Sequence, residues 1–528
     1  MKRIAVIDLE TDPFGFGTSI QPFVSGYYDG ARFVSYWGDD CVERMVKFLD
    51  GEPEAIIYAH NGGRFDFFYF LKHLSGEMLV INNRIVQAYL GKHELRDSFA
   101  IMPFALEQYE KTKVDYETFR RPVREKHRDS IISYLRDDCV SLLALCTAFR
   151  SEFGDKLTIG SASLSQLKKF HKFSTGNQIY DAKFRRDFYF GGRNQVFRAG
   201  VIRAPVRVYD VNSMYPYVMS AFLHPVGTGI VLSNRVEENT AFVIVEGKNY
   251  GAFPTRQKDG SLDFTIPYGK FHVTIHEYNA ALETGSFRPV RIFKTLGFLR
   301  RESFAEFVTH FYDARAKASE ENDAIKKLFY KYVLNSAYGK FAQNPEHYFD
   351  WRIAKVGELF SGWHECKKTC EVNCRLRWLP GFMNGPYIIW KRPIQQSCYY
   401  NIATGASITG AARAVLLRGL RASSKPLYCD TDSIICSSLS GVPFSDTQLG
   451  AWKQEAAGAL VAICGKKLYA IFDSEGKCIK KAHKGAHLTG EEILSIANGA
   501  SIETCNPVPS FKMDGTFSYT KRTIKRTA

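Results

Sequence analysis

The alternation of apolar and polar residues divides this chain into short, strongly patterned segments, several of which end in acids. Ile4-Ala5-Val6-Ile7 is an apolar run that predicts a buried strand, and it leads into Asp8-Leu9-Glu10-Thr11. On a strand, residues two apart share a face, so Asp8 and Glu10 point the same way. Ile56-Ile57-Tyr58 predicts a second strand, running into His60-Asn61-Gly62-Gly63-Arg64-Phe65-Asp66. Asp66 opens an aromatic, helix-like run from Phe67 to Phe70. Tyr134-Leu135-Arg136-Asp137-Asp138, followed by Leu142, Leu143 and Leu145, predicts a helix with Tyr134 and Asp138 on one face. Val206-Arg207-Val208-Tyr209 is a strand that ends in Asp210, and Pro216 fixes the chain soon after. Residues 302–343 read as two helices joined near Glu320-Glu321-Asn322-Asp323; in the second, Lys327, Lys331, Asn335 and Tyr338 form one face. Pro426-Leu427-Tyr428 and Ile434-Ile435-Cys436 flank a tight polar turn, which predicts a β-hairpin carrying Asp430 and Asp432.

The chemistry follows from where the acids fall. Two carboxylates on a rigid turn suit a hard divalent cation, with room left for substrate phosphates. Alone, Asp-Thr-Asp-Ser is equally an ordinary acidic turn. Asp8, Glu10, Asp66 and Asp138 could together hold two metal ions about 4 Å apart, as phosphodiester-cleaving nucleases do, with Tyr134 orienting the attacking water. Singly, each of these acids reads as a surface or cap residue. Two lysines one turn apart, Lys327 and Lys331, can track a triphosphate, and a flat Tyr338 can stack near a base pair; a basic helix face is otherwise a solvated one.

Composition narrows the class. A chain of 528 residues is expected to form roughly three or four units. No run of about 18 apolar residues predicts a transmembrane helix, and Met1-Lys2-Arg3-Ile4 passes straight into a strand pattern instead of a signal peptide. A net charge of +15, with Lys521, Arg522, Lys525 and Arg526 near the C-terminus, suggests a polyanionic partner, most simply nucleic acid; solubility charge is the plain alternative. Twelve scattered Cys without a framework read as reduced, intracellular thiols. His364, Cys366, Cys370 and Cys374 are four candidate zinc ligands in a spacing unlike that of a common zinc finger, so free thiols are the competing reading.

The ordered acids Asp8, Glu10, Asp66 and Asp138 with Tyr134 resemble the three exonuclease motifs of the proofreading domain of family B DNA polymerases. Asp97-Ser98-Phe99 with Pro103-Phe104 resembles the segment that binds the primer end, and Lys111-Thr112-Lys113-Val114 the motif whose lysine supports exonuclease catalysis. Phe99 stands where the family usually has Leu, and the second exonuclease motif, with Asn61 and Phe65, has an extra Gly. Tyr189-Phe190-Gly191-Gly192 resembles the Tyr-x-Gly-Gly motif that contacts template between the two halves of these enzymes. Asp210-Val211-Asn212-Ser213-Met214-Tyr215-Pro216 resembles polymerase motif A, with Met214 for the commoner Leu. It implies Asp210 and the Val211 carbonyl as metal ligands and Tyr215 as the ring that excludes a 2′-hydroxyl. Lys331 to Lys340 resembles motif B, with Lys331 on the nucleotide phosphates, Lys327 a second contact and Arg315 or Lys317 a third. Tyr428 to Ser433 resembles motif C. Thr409-Gly410-Ala411-Ala412-Arg413 and Lys467-Leu468-Tyr469 resemble primer-template motifs, implying DNA contacts by Thr409, Arg413, Lys467 and Tyr469.

Long stretches between motifs A and B and between B and C resemble the two insertions of the protein-primed members of this family. The fold implied is α/β (an α+β multidomain chain): a ribonuclease-H-like 3′–5′ exonuclease domain (1–160), then a right-hand polymerase of palm (161–222 and 396–483), fingers (303–345) and thumb (484–528), with insertions at 223–302 and 346–395. The resemblance further implies two Mg²⁺ per active site (Mn²⁺ able to substitute), DNA template and primer, dNTPs, a terminal protein as primer, no membrane, a monomer, and a cytoplasmic location. Competing readings are a non-catalytic DNA-binding relative, a pure exonuclease, and a polymerase that starts from an oligonucleotide or de novo.

Overall fold

A computed structural model describes residues 2–12, 20–104, 114–172, 182–227, 230–343, 349–358, 379–384, 387–393, 401–505, 510–513, 517–519 and 521–527. The first apolar run forms β1 (Ile4–Thr11), and Ala5, Val6 and Ile7 are fully buried. β1 is parallel to β2 (Ile56–Ala59), which is parallel to β3 (His93–Asp97). Their neighbours complete a mixed ten-stranded sheet. The helix α1 (Arg128–Phe153) lies across it and buries Ile131, Leu135, Leu142 and Leu145. Contact is close: a Cβ on Gly26 would sit 2.8 Å from Leu135 Cγ, so only glycine lets helix and sheet meet there. The other edge of this sheet is unexpected. Strand 349–355, from the stretch read as a second insertion, pairs with Gly76–Ile81, so the described part of that stretch extends the N-terminal sheet. His364, Cys366, Cys370 and Cys374, and Lys111, lie outside the described residues.

A second, seven-stranded sheet contains β4 (Asn194–Val196), β5 (Gly200–Val211), the hairpin β6 (Tyr428–Asp430) and β7 (Ser433–Cys436), and β8 (Trp452–Gly465), β9 (Leu468–Phe472) and β10 (Cys478–His483). The strand ending in Asp210 is therefore central, between β7 and β8. Residues 230–298 supply a four-stranded antiparallel sheet and the helix α2 (Ile275–Glu283), started by a capping box of Thr274 and Glu277. The two helices read from residues 302–343 are α3 (Ala305–Glu320) and α4 (Ala324–Phe341). A long helix, α5 (Ile402–Ala422), is buried along most of its length and packs on α2. Small residues again permit this, because a Cβ on Gly410 would lie 2.3 Å from Thr274 Oγ1. Near the C-terminus, Phe511 inserts among Phe65, Phe68 and Tyr69 of the N-terminal region.

Candidate active site

The hairpin turn at the tip of β6 and β7 is built by its surroundings. Thr431 has a positive φ of 57°, its N–H donates to the Arg193 carbonyl (2.7 Å), and the Val211 N–H donates to the Asp432 carbonyl (2.9 Å). A Cβ on Gly192 would sit 2.6 Å from Thr431 Oγ1, so this glycine serves the acidic turn, while Gly191 faces open space. The two acids of the turn then part company. Asp432 joins Asp210 in a cleft of about 860 Å³, whereas Asp430 accepts from Tyr428 Oη (3.2 Å) and pairs with Lys467 Nζ (3.4 Å). Lys467 N–H in turn donates to Tyr428 Oη, and Tyr469 packs on Tyr428, so Lys467 and Tyr469 hold the far side of the hairpin.

The cleft also takes in Val211, Tyr215, Lys327, Lys331, Asn335 and Tyr338. The predicted face of α4 is thus opposite the carboxylates. Lys331 is exposed, and Lys327 donates to Ser319 Oγ. Tyr215 and Tyr338 stack with centroids 4.0 Å apart and planes within 10°. Of the two candidates on α3, Arg315 lines the cleft and Lys317 pairs with Glu321. Burial, then the charges of Asp432 and Glu455, push the Asp210 carboxyl up to about 7. Burial, with Asp430 and Glu455, pushes Asp432 up to about 6. Two carboxylates crowded in one cleft, with like charge contributing to the rise, are relieved by a cation between them, so this donor set fits a divalent metal.

Glu455 was not singled out from the sequence. It stands on β8 beside Asp210, paired with Lys453 (3.4 Å) and Lys480. Its only signal is the charged Lys453-Gln454-Glu455 opening an otherwise apolar strand.

A second acidic cluster lies on the N-terminal sheet. Ligand oxygens of Asp8, Glu10 and Asp138 lie within 4.8 Å of one another. Asp66 is buried beside them; burial and the Asp8 charge hold its carboxyl well above the usual carboxylate range, and its Oδ1 has no hydrogen-bond partner among the described residues. An orphaned buried carboxylate oxygen that feels the Asp8 charge at the edge of this cluster fits a metal-holding role. Tyr134 is buried next to Glu10 and Asp138, its hydroxyl 3.5 Å from that of Tyr116.

Three residues expected to touch DNA do not reach a surface. Ser98 is fully buried, with Oγ 2.9 Å from His60 Nδ1 and 3.3 Å from the Ala59 carbonyl. Thr409 is buried, its hydroxyl donating to the Ala406 carbonyl. Arg413 is buried against Glu277 (2.7 Å) and donates to the carbonyls of Phe190 and Gly191. Packing of α2 on α5 encloses both helical residues, and Arg413 is turned onto the Tyr189–Gly192 loop. Tyr189 stays half-buried beside Arg185. Asn61 is held by Arg84 Nη2 (2.9 Å), which also pairs with Asp97 and lies over the Phe99 ring. Phe65 meets Tyr69 and Phe511 edge-on.

Residues 105–378 match the family DNA polymerase type B, organellar and viral. Over 99% of this chain and 98% of its own length, the DNA-directed DNA polymerase of Enterobacteria phage PRD1 is 43% identical. This chain belongs to the family B DNA polymerases. The polymerase also shares its fold, end to end, with solved structures of phi29 DNA polymerase: TM-score 0.73 at 18% identity for an orthorhombic crystal form, and 0.71 at 19% for the complex with primer-template DNA, each alignment covering 100% of both chains. It is a DNA-directed DNA polymerase, a metal-dependent class of enzyme, and among the described residues no helix is long and apolar enough to cross a membrane.

Proposed function

We propose that this polymerase couples Mg²⁺-dependent DNA synthesis to 3′–5′ proofreading and copies a linear genome from a protein primer, in the cytoplasm of a host cell. The observation that carries the coupling is the presence of two separate acidic clusters, Asp210 with Asp432 facing a basic helix, and Asp8, Glu10 and Asp138 with Asp66. In the cleft, Asp210, Asp432 and the Val211 carbonyl would hold Mg²⁺ (or Mn²⁺), which would supply activation of the primer hydroxyl and neutralisation of phosphate charge. Lys331 and Lys327 take the triphosphate of the incoming dNTP, and Asn335 and Tyr338 bound its base. The Tyr215 ring, fixed by its stack on Tyr338, closes the space a 2′-hydroxyl would need. At the second cluster the four acids would hold metal able to polarise a phosphodiester, and Tyr134 would orient the attacking water. Asn61 and Phe65 receive the frayed primer end.

The support for a protein primer is the first insertion, which is tied to the template-side loop through Glu277 and Arg413. A protein that replaces duplex DNA in a basic channel binds through charge and weakens with salt.

One experiment separates the activities. Asp432→Ala is expected to abolish extension of a primed template and to retain degradation of single strands; Asp8→Ala with Asp66→Ala is expected to do the reverse. Wild-type degradation by the double variant would remove the proofreading assignment. Priming is tested by mixing the enzyme, a candidate terminal protein and one labelled dNTP. Label on protein is expected, and copying of unprimed templates without any partner would replace this reading with de novo initiation.

A further inference from the structure

Four arginines among the described residues are buried almost completely: Arg96, Arg150, Arg193 and Arg413. Removing a guanidinium from water costs several kcal/mol, and a carboxylate neighbour is the usual compensation. Arg96 has Glu94 and Asp155, Arg150 has Asp155 at 3.7 Å, and Arg413 has Glu277. Arg193, only 5% exposed, has no carboxylate within ion-pair distance among the described residues. Its Nε and Nη2 donate to Gln195 Oε1 (3.0 and 2.6 Å) and its Nη1 to the Gly251 carbonyl (2.8 Å), while Phe264 lies 4.2 Å from the guanidinium carbon. These partners satisfy N–H groups, and the Phe264 ring face adds a cation–π contact, but among the described residues no anion balances the charge.

Arg193 lines a cavity of about 350 Å³ between the first insertion and the second sheet. Arg421 lines it too and donates to neutral oxygens, Ser286 Oγ and the Tyr250 carbonyl, both at 2.7 Å. Burial, and then the nearby Arg421 charge, draw Arg193 down to about 10. The rest of the wall is mixed: Phe197, Leu417, Leu420 and Pro426 are apolar, and Asn249 and Thr265 are polar. No lining residue is shared with the cleft around Asp210.

We propose that this cavity binds a small phosphate monoester, its dianion between Arg193 and Arg421 and its organic body against Leu417, Leu420 and Pro426. Two guanidiniums match a dianion better than a single carboxylate, and guanidinium forks suit phosphate oxygens. The volume falls within the usual range of small-molecule sites, about 300–1,000 Å³. A nucleoside monophosphate belongs to this class.

The test is equilibrium dialysis of the full chain with labelled dAMP in EDTA, which suppresses metal-assisted binding at the acidic clusters. Phenyl phosphate and inorganic phosphate serve as competitors. Saturable binding is expected, displaced by phenyl phosphate more readily than by inorganic phosphate. Loss of one charge-assisted contact in Arg421→Gln, at the exposed mouth, should weaken it roughly tenfold or more. Primer extension by Arg421→Gln should match wild type, which shows that the variant folds; Arg193→Gln should bind least. Equal displacement by inorganic phosphate would overturn the organic half of the assignment. Absence of saturable binding, or unchanged binding by folded Arg421→Gln, would overturn the whole.

Discussion

Asp210→Asn is expected to make the metal-free enzyme more stable while ending synthesis. Asp210 shares its cleft with Asp432 and Glu455, and its carboxyl rises from the ordinary 3.8 to about 7, chiefly through burial. That rise corresponds to about 4 kcal/mol between the charged and neutral forms. Water enters the open cleft and screens the carboxylate, which reduces the expected effect to about 2 kcal/mol. Because the folded value lies above the unfolded one, the folded chain keeps its proton longer. Stability from this group is full below about pH 4 and is lost as the pH rises to about 7. At about pH 8 the wild type carries the whole penalty and the amide carries none. Calorimetry in EDTA should therefore show the transition containing the second sheet at a higher temperature in Asp210→Asn, with the gap shrinking at about pH 5. Added Mg²⁺ should raise the wild type more than the variant, which keeps only the acidic cluster of Asp8, Glu10, Asp66 and Asp138 intact. A variant that melts at or below the wild type at pH 8 in EDTA would refute this electrostatic reading of the cleft.

Tyr215→Val, which removes the ring stacked on Tyr338, should admit ribonucleotides; competing rNTP and dNTP on one primed template measures it, and unchanged discrimination would place the gate elsewhere. Lys331→Ala removes a charge-assisted phosphate contact worth about 1.5–3 kcal/mol, so kcat/KM for dNTPs should fall roughly 10- to 150-fold. Glu277→Gln leaves Arg413 as a buried, uncompensated cation, which should cost about 3–5 kcal/mol in calorimetry and weaken primer-template binding in a gel shift. A variant with wild-type melting and DNA affinity would show that the Glu277–Arg413 pair braces nothing.

The acids were legible because they stand where apolar runs end, and a strand or hairpin boundary fixes them locally: Asp8, Asp210 and Asp432 all have this form. The basic face of α4 was legible from helical spacing alone. What escaped depends on distant packing. Arg413 looks like a DNA contact in its own motif, and only α2, whose Glu277 lies 136 residues earlier, turns it inward. Ser98 is turned inward, its hydroxyl against His60, which lies 38 residues earlier in the chain. Nothing in residues 349–355 signals that they pair with Gly76–Ile81, since register between strands so far apart is set by the assembled sheet. Glu455 stayed hidden because a charged strand start usually means solvent, and here β8 starts beside Asp210.

The contact of Arg413 with Glu277 on one side and the Gly191 carbonyl on the other makes two surfaces share one component. Thermodynamic linkage then runs in both directions. A protein that binds the first insertion and favours one setting of α2 changes the affinity of whatever rests on the Gly191 loop by some factor, and that second ligand changes the affinity for the protein by the same factor. If a protein primer docks on the first insertion and template on the Gly191 loop, as proposed above, departure of the one and the grip on the other become two readings of a single equilibrium.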